Sequence, residues 1–289
     1  MRIWLLAARP RTLPAAVAPV LVGTAYAAGL TDHLRWGPFI AALLGAIFIQ
    51  IGTNLSNDYS DARRGADTED RLGPVRVTAG GLVPPASVLR ATYIAFGLAV
   101  VCGAYLVYIA GPVILAIGAA SIVAGVLYTG GPRPYGYEGL GEVFVFLFFG
   151  VVAVTGSAFV QLEEFDGEAL LLSIPVGFLA TAILVVNNVR DINTDARAGK
   201  RTLAVRMGRE RTRVLFMTLV AGSFVLLAVL AVTVTVWVLI AFAAVIPAVP
   251  LIAKVRSHAD GPTLNAALAE TGKLQLIFCV LLAAGLLLA

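Results

Sequence analysis

Residues 169–195 read ALLLSIPVGFLATAILVVNNVRDINTD. From Ala169 to Val186 the stretch carries no charge. As a helix at about 1.5 Å per residue it crosses most of a hydrocarbon layer about 30 Å thick. A helix on a soluble core keeps one face polar; this one is apolar on all sides. It then meets three asparagines, an arginine and two aspartates without a break. The stretch therefore reads as a membrane helix whose end is crowded with oxygen-bearing side chains.

Working outward, similar runs recur near 13–30, 37–57, 88–109, 112–129, 141–161, 169–189, 213–232, 235–253 and 271–289. Gly111-Pro112 divides the long run 88–129, because proline starts a helix better than it continues one. Thr233-Val-Thr235 is a weaker break in 213–253. The chain has 289 residues, 59% of them hydrophobic and 13% charged, about half the charge of a soluble domain. The sequence predicts an all-α polytopic membrane protein of nine transmembrane helices, a single domain over 1–289. The net charge of +4 is too small to imply nucleic-acid binding. Cys102 and Cys279 lie in separate apolar runs and read as small hydrophobes, not as a disulfide or a metal pair. Ile3–Ala8, followed by Arg9 and Arg11, is too short and wrongly flanked for a cleavable signal.

Charge placement fixes an expected orientation. With the N-terminus inside and nine passes, only Arg35 of the 21 Lys and Arg falls outside. The loop 161–168 then faces out with Glu163, Glu164, Asp166 and Glu168 and no basic residue. That is the positive-inside pattern of an inner, cytoplasmic membrane protein. The longer polar connections, 58–87, 130–140, 190–212 and 254–270, all share the inner face.

Two of these connections begin at matching clusters. Asn54, Asn57, Asp58 and Asp61 fall within about 100° on a helix, and so do Asn187, Asn188, Asp191 and Asp195. Carboxylates gathered on one face repel unless a cation joins them. Hard oxygen donors with no His or Cys suit Mg2+, which shares its shell with water and phosphate. Asn54, Asn57, Asp61, Asp191 and Asp195 are the candidate metal ligands, and Asp58, Asp61, Asp191 and Asp195 the candidate catalytic residues. Arg11, Arg76, Arg133, Arg190 and Lys200 are candidates for holding a diphosphate. Tyr128, Tyr135 and Tyr137 offer π faces to a carbocation, beside Asn187, Asn188 and Asp67 as further substrate-facing residues. His33 and His258 are isolated, and no phosphate-cradling fingerprint for a nucleotide is present.

The chain resembles the UbiA-type membrane prenyltransferases. The resemblance rests on Arg9-Pro-Arg-Thr-Leu-Pro, on the segment Asn54–Asp61, on Asp67-Thr-Glu-Asp-Arg-Leu-Gly-Pro74, on Tyr128-Thr-Gly-Gly-Pro132, and on Asn187–Asp191 running on to Gly199-Lys-Arg-Thr-Leu-Ala-Val-Arg206. It implies helices around a central cavity, with reactants entering partly from the bilayer. It implies that Asn57, Asp61, Asp191 and Asp195 ligate Mg2+ on a polyprenyl diphosphate. Where many relatives carry an aspartate four residues beyond Asp61, this chain has Gly65, and Asp67 follows. Within the family the chain is similar to the branch acting on 1,4-dihydroxy-2-naphthoate, which implies prenylation with loss of CO2 and diphosphate to give demethylmenaquinol. Another aromatic acceptor, such as 4-hydroxybenzoate or homogentisate, is the alternative. A secondary transporter would carry its acidic sites near the bilayer midplane on broken helices, whereas these clusters lie at helix ends. A CDP-alcohol phosphotransferase needs a glycine after its second aspartate, where Ala62 stands.

Overall fold

The computed structural model describes residues 2–66 and 72–289. A short helix, Arg2–Ala8, precedes nine longer ones: α1 Pro14–Thr31, α2 Trp36–Arg63, α3 Pro85–Ala110, α4 Val113–Leu127, α5 Gly141–Leu162, α6 Gly167–Arg197, α7 Arg209–Thr233, α8 Val236–Ser257 and α9 Gly261–Leu286. The described residues contain no strand, so the all-α class holds. The count needs a correction. Eight helices, not nine, are long and apolar enough to cross a membrane on those grounds alone; α4 has only 15 residues. It lies alongside α2, with Ile114 in one cluster with Ala41 and Gly125 facing Thr53.

Several boundaries differ from the sequence reading. α2 runs past 57 to Arg63, and α6 past 189 to Arg197, so both polar clusters are helical throughout. Apolar periodicity does not extend that far, but the buried cluster side chains find hydrogen-bond partners among side chains and backbone groups that keep the helix intact. α9 begins at Gly261, capped by Asp260, whose carboxylate accepts from the Thr263 N–H at 2.8 Å; only 258–260 of the expected connection 254–270 is non-helical. α5 carries a π-helical stretch at Phe146–Val152, and α8 opens with a 3-10 run at Val236–Ala244.

With hydrocarbon outside, the bundle packs by close van der Waals contact between small residues. A Cβ on Gly150 of α5 would come within 2.5 Å of the Gly177 Cα in α6. One on Gly23 of α1 would reach the Val154 carbonyl at 2.1 Å. Gly272 abuts Arg11 and Pro14, while Gly29 abuts Leu286, so α1 and α9 are parallel neighbours. The core between α1, α5, α6, α7, α8 and α9 buries Val22, Val176, Leu179, Phe216, Leu227, Phe278 and Leu282. The outer surface is apolar too: Val232 is 88% exposed and Tyr108 85%. Such a surface suits lipid and would aggregate in water. This is a multi-pass membrane protein. One end is tied by Arg35, which donates its N–H to Gln161 Oε1 at 3.0 Å and pairs with Glu163 at 2.6 Å.

Candidate active site

α2, α4, α5 and α6 surround a cavity of about 850 Å³, within the range of small-molecule sites. One arm is walled by aliphatic and small residues of α2, α3 and α4, among them Ala104, Val107, Leu115 and Val123. Leu115 and Val123 are also exposed, with no second layer of side chains covering them.

The other end is polar. α2 contributes Asn54, Asn57 and Asp61, and α6 contributes Asn187, Asn188, Asp191 and Asp195. Asp61 is 1% exposed. Its Oδ1 accepts from the Tyr137 hydroxyl at 2.6 Å and its Oδ2 from Arg76 at 3.1 Å. Lys200 spans the clusters, with Nζ 3.7 Å from Asp61 Oδ2 and 3.9 Å from Asp195 Oδ1. The same ammonium lies 4.7 Å from the centroid of the Tyr137 ring. Asn57 Oδ1 accepts from the Thr129 hydroxyl at 2.9 Å, and the Asn54 amide donates to the Ala8 carbonyl at 3.0 Å. Sequence positions 54–61 and 187–200 thus meet around one end of one cavity.

An aromatic wall joins the two arms. Tyr128 meets Tyr135 edge-on at 5.5 Å, Tyr135 stacks on Phe144 at 4.0 Å, and Phe144 stacks on Phe148 at 6.1 Å. Burial pushes the Tyr128 and Tyr135 phenols up, helped at Tyr128 by the Glu142 carboxyl. Both therefore remain neutral phenols beside the cavity.

Other candidates are placed differently. Asp58 does not line the cavity. Its carboxylate accepts the Val77 and Thr78 N–H groups at 3.1 and 2.9 Å, which pins the segment after α2. Arg190 is 2% exposed and also absent from the lining. It grips both oxygens of Asp191 at 2.8 and 2.5 Å, and donates to Asn187 and Asn265 at 2.7 Å each. Its reach is spent on positioning Asp191. Arg11 and Arg133 are exposed and away from the cavity lining. Arg76 lines the cavity beside Asp61. Asp67 lies outside the described residues.

Two residues were missed. Arg9 lines the cavity and donates to the Asn54 carbonyl at 3.5 Å. It holds φ at 53°, a left-handed conformation costing a non-glycine residue about 1–2 kcal/mol. The signal was Pro10, which fixes the turn that follows and aims Arg9 inward while Arg11 faces out. Glu142 is buried behind Asn188, and nothing in its apolar surroundings announces it.

The donors suit magnesium. Among the described residues no three His, Cys, Asp or Glu form a metal cage of their own. Magnesium bound by one or two carboxylates, with substrate phosphates and water completing its octahedron, needs none. Asp61, Asp191 and Asp195, with Asn57, supply such hard oxygens at one cavity end.

An aliphatic-walled cavity inside a helix bundle, closed at one end by carboxylates, amides and a lysine, has the form of an intramembrane enzyme site that suits a long apolar chain with an anionic head. The chain belongs to the UbiA prenyltransferase family, whose model matches residues 16–282. It is 42% identical over 286 residues to "1,4-dihydroxy-2-naphthoate octaprenyltransferase" of Mycobacterium leprae, covering 99% of this chain and 96% of that one. It is 43% identical over 283 residues to the protein of the same name in Mycobacterium tuberculosis, covering 98% and 96%. A UbiA homologue from Archaeoglobus fulgidus, solved bound to GPP and Mg2+, shares the fold with a TM-score of 0.70 at 17% identity, covering 99% of this chain and 100% of that one.

Proposed function

We propose that this protein transfers a polyprenyl group from polyprenyl diphosphate to 1,4-dihydroxy-2-naphthoate, releasing diphosphate and CO2 and giving demethylmenaquinol. The observation that carries the reaction class is the convergence of both Asp/Asn clusters and Lys200 at the end of an apolar cavity. The acceptor rests on relatives of that name at 42–43% identity over nearly the whole chain.

The apolar arm holds the prenyl chain, and the exposed Leu115 and Val123 mark the route by which it enters from the bilayer. Magnesium, when bound by Asp61, Asp191, Asp195 and Asn57, supplies positive charge to the diphosphate. Lys200, Arg9 and Arg76 add cationic charge, worth more here than in water because the surroundings are of low dielectric. The allylic C–O bond breaks with its electron pair leaving on the diphosphate. Tyr128, Tyr135 and Phe144 face the resulting cation and keep water from quenching it. The naphthoate ring carbon bearing the carboxylate forms the new C–C bond. The C–CO2 bond then breaks, and its electron pair restores the aromatic ring.

We also propose that the clusters face the cytoplasm, in an inner membrane. The distribution of basic residues supports this. The parallel α1 and α9 need an odd number of passes, and hence α4 as one of them.

The test is purified protein with Mg2+, a panel of polyprenyl diphosphates and carboxyl-labelled aromatic acids. Label should leave as gas in step with prenylated product from dihydroxynaphthoate, and chelation should stop turnover. Product that retains its carboxylate, or turnover with 4-hydroxybenzoate alone, overturns the acceptor.

A further inference from the structure

The Glu142 carboxyl is a buried acid to which the reaction above gives no task. It sits in the first turn of α5 and is 6% exposed. An acid buried in a membrane bundle is costly without a partner. Its partner is Asn188, whose Nδ2 donates to Oε1 at 2.9 Å. Asn188 lines the cavity and Glu142 does not. A carboxylate only accepts hydrogen bonds, so it fixes the amide with its NH2 turned away from the cavity. The edge left for a bound molecule is the carbonyl Oδ1. The next residue is fixed in the opposite sense: Asn187 Oδ1 accepts from Arg190 at 2.7 Å, so its amide N–H edge is the one left over. Two adjacent amides on one cavity wall are thus locked with opposite polarity, one by an acid and one by a guanidinium.

We propose that Asn188 Oδ1 accepts a hydrogen bond from a ring hydroxyl of the aromatic acceptor, and that Glu142 is the positioning residue holding the amide in that sense. This rests on the reading that the acceptor is a hydroxylated aromatic acid. The pair lies at the junction of the polar end and the aromatic wall, since Asn188, Tyr128 and Phe144 all line the cavity. That is where an aromatic ring must sit to reach an allylic carbon whose diphosphate is held by the clusters. A site that spends a buried carbonyl on a hydroxyl discriminates against analogues lacking one, because the carbonyl is then left unpaired.

The test is steady-state kinetics of the full chain with Mg2+ and polyprenyl diphosphate, comparing wild type, Glu142→Gln, Glu142→Asp and Asn188→Ala. Each is assayed on the native acceptor and on its two mono-O-methyl ethers. Glutamine donates as well as accepts, so it frees the Asn188 amide to turn over. The acceptor KM should rise about tenfold in Glu142→Gln and in Asn188→Ala, the size of one neutral hydrogen bond, while the KM for prenyl diphosphate stays put. Glu142→Asp should recover part of the loss. The ether that wild type binds worse should lose nothing further in either variant. Equal rises in both KM values, no rise in either, or equal losses on both ethers overturn the proposal. Should Glu142→Gln not purify as a monodisperse protein, the ethers on wild type decide: equal binding of both overturns it. If wild type uses a different hydroxylated acid, the acceptor assigned above fails, and the same comparison on that acid still decides this proposal.

Discussion

Asp58 and Asp61 stand three residues apart on α2, both buried, and their carboxylates have different partners. Asp58 holds two backbone N–H groups; Asp61 faces the cavity among Arg76, Tyr137 and Lys200. Helical geometry put both on one stripe, and the sequence could not separate them, because the difference is made by residues 76–78 folding back. Asp58→Ala strands two buried donors at about 1–3 kcal/mol each, so it should lower the melting temperature by several degrees while the folded fraction keeps turnover within about tenfold of wild type. Asp61→Asn keeps the shape and removes the charge. It should melt near wild type and lose turnover on the order of 10²–10³-fold, the scale of losing one preorganised electrostatic contact. Thermal unfolding and kinetics on the same preparations check both, and the opposite assignment of the two losses sinks the distinction. Lys200 was legible from its spacing after Asp195. Arg9 was not, because choosing between Arg9 and Arg11 depends on the turn at Pro10.

At the level of elements, apolar runs located the helices but not their polar ends. α2 and α6 continue as helices through the clusters because Thr129, Tyr137, Lys200, Glu142 and Arg190 satisfy the side chains there. Thr129, Tyr137 and Glu142 come from distant segments, so local sequence alone could not supply the boundary. The π-helical stretch Phe146–Val152 was invisible for the same reason. It exists where Gly150 meets Gly177, and it turns Phe148, Phe149 and Val152 toward the cavity. Such stretches often mark functional sites. Gly150→Val pushes a branched side chain against the α6 backbone, where no flexible group can give way. Overpacking of this kind costs about 1–3 kcal/mol. The variant should melt lower and lose turnover, while Gly156→Ala, whose Cβ meets nothing within 4 Å, should melt like wild type. Equal melting temperatures for the two would remove the role assigned to the Gly150–Gly177 contact.

For the whole molecule, class and membrane residence were legible because they depend on bulk apolar composition, which local rearrangement does not change. The number of helices that qualify as spans was less so, since α4 falls short by length. Its packing nonetheless gives it a defined direction. Ile114 sits with Ala41 and Gly125 with Thr53, so α4 advances alongside α2 through a comparable depth. With α4 as a pass, α1 and α9 must run the same way, and their contacts at Gly272 and Gly29 are those of parallel helices. The orientation proposed from the positive-inside pattern puts the basic connections in the cytoplasm and residues 163–166 on the opposite face. Single cysteines introduced at Glu164 and at Arg133, both exposed, give a direct check in intact cells after Cys102 and Cys279 are replaced by alanine. A membrane-impermeant maleimide should label the cysteine at 164 from outside and reach the one at 133 only after permeabilisation. Labelling of both from the same side would mean an even number of passes between them and would remove α5 as a crossing. Labelling with the two sides exchanged would keep the bundle and invert it, placing the carboxylate clusters and their diphosphate outside.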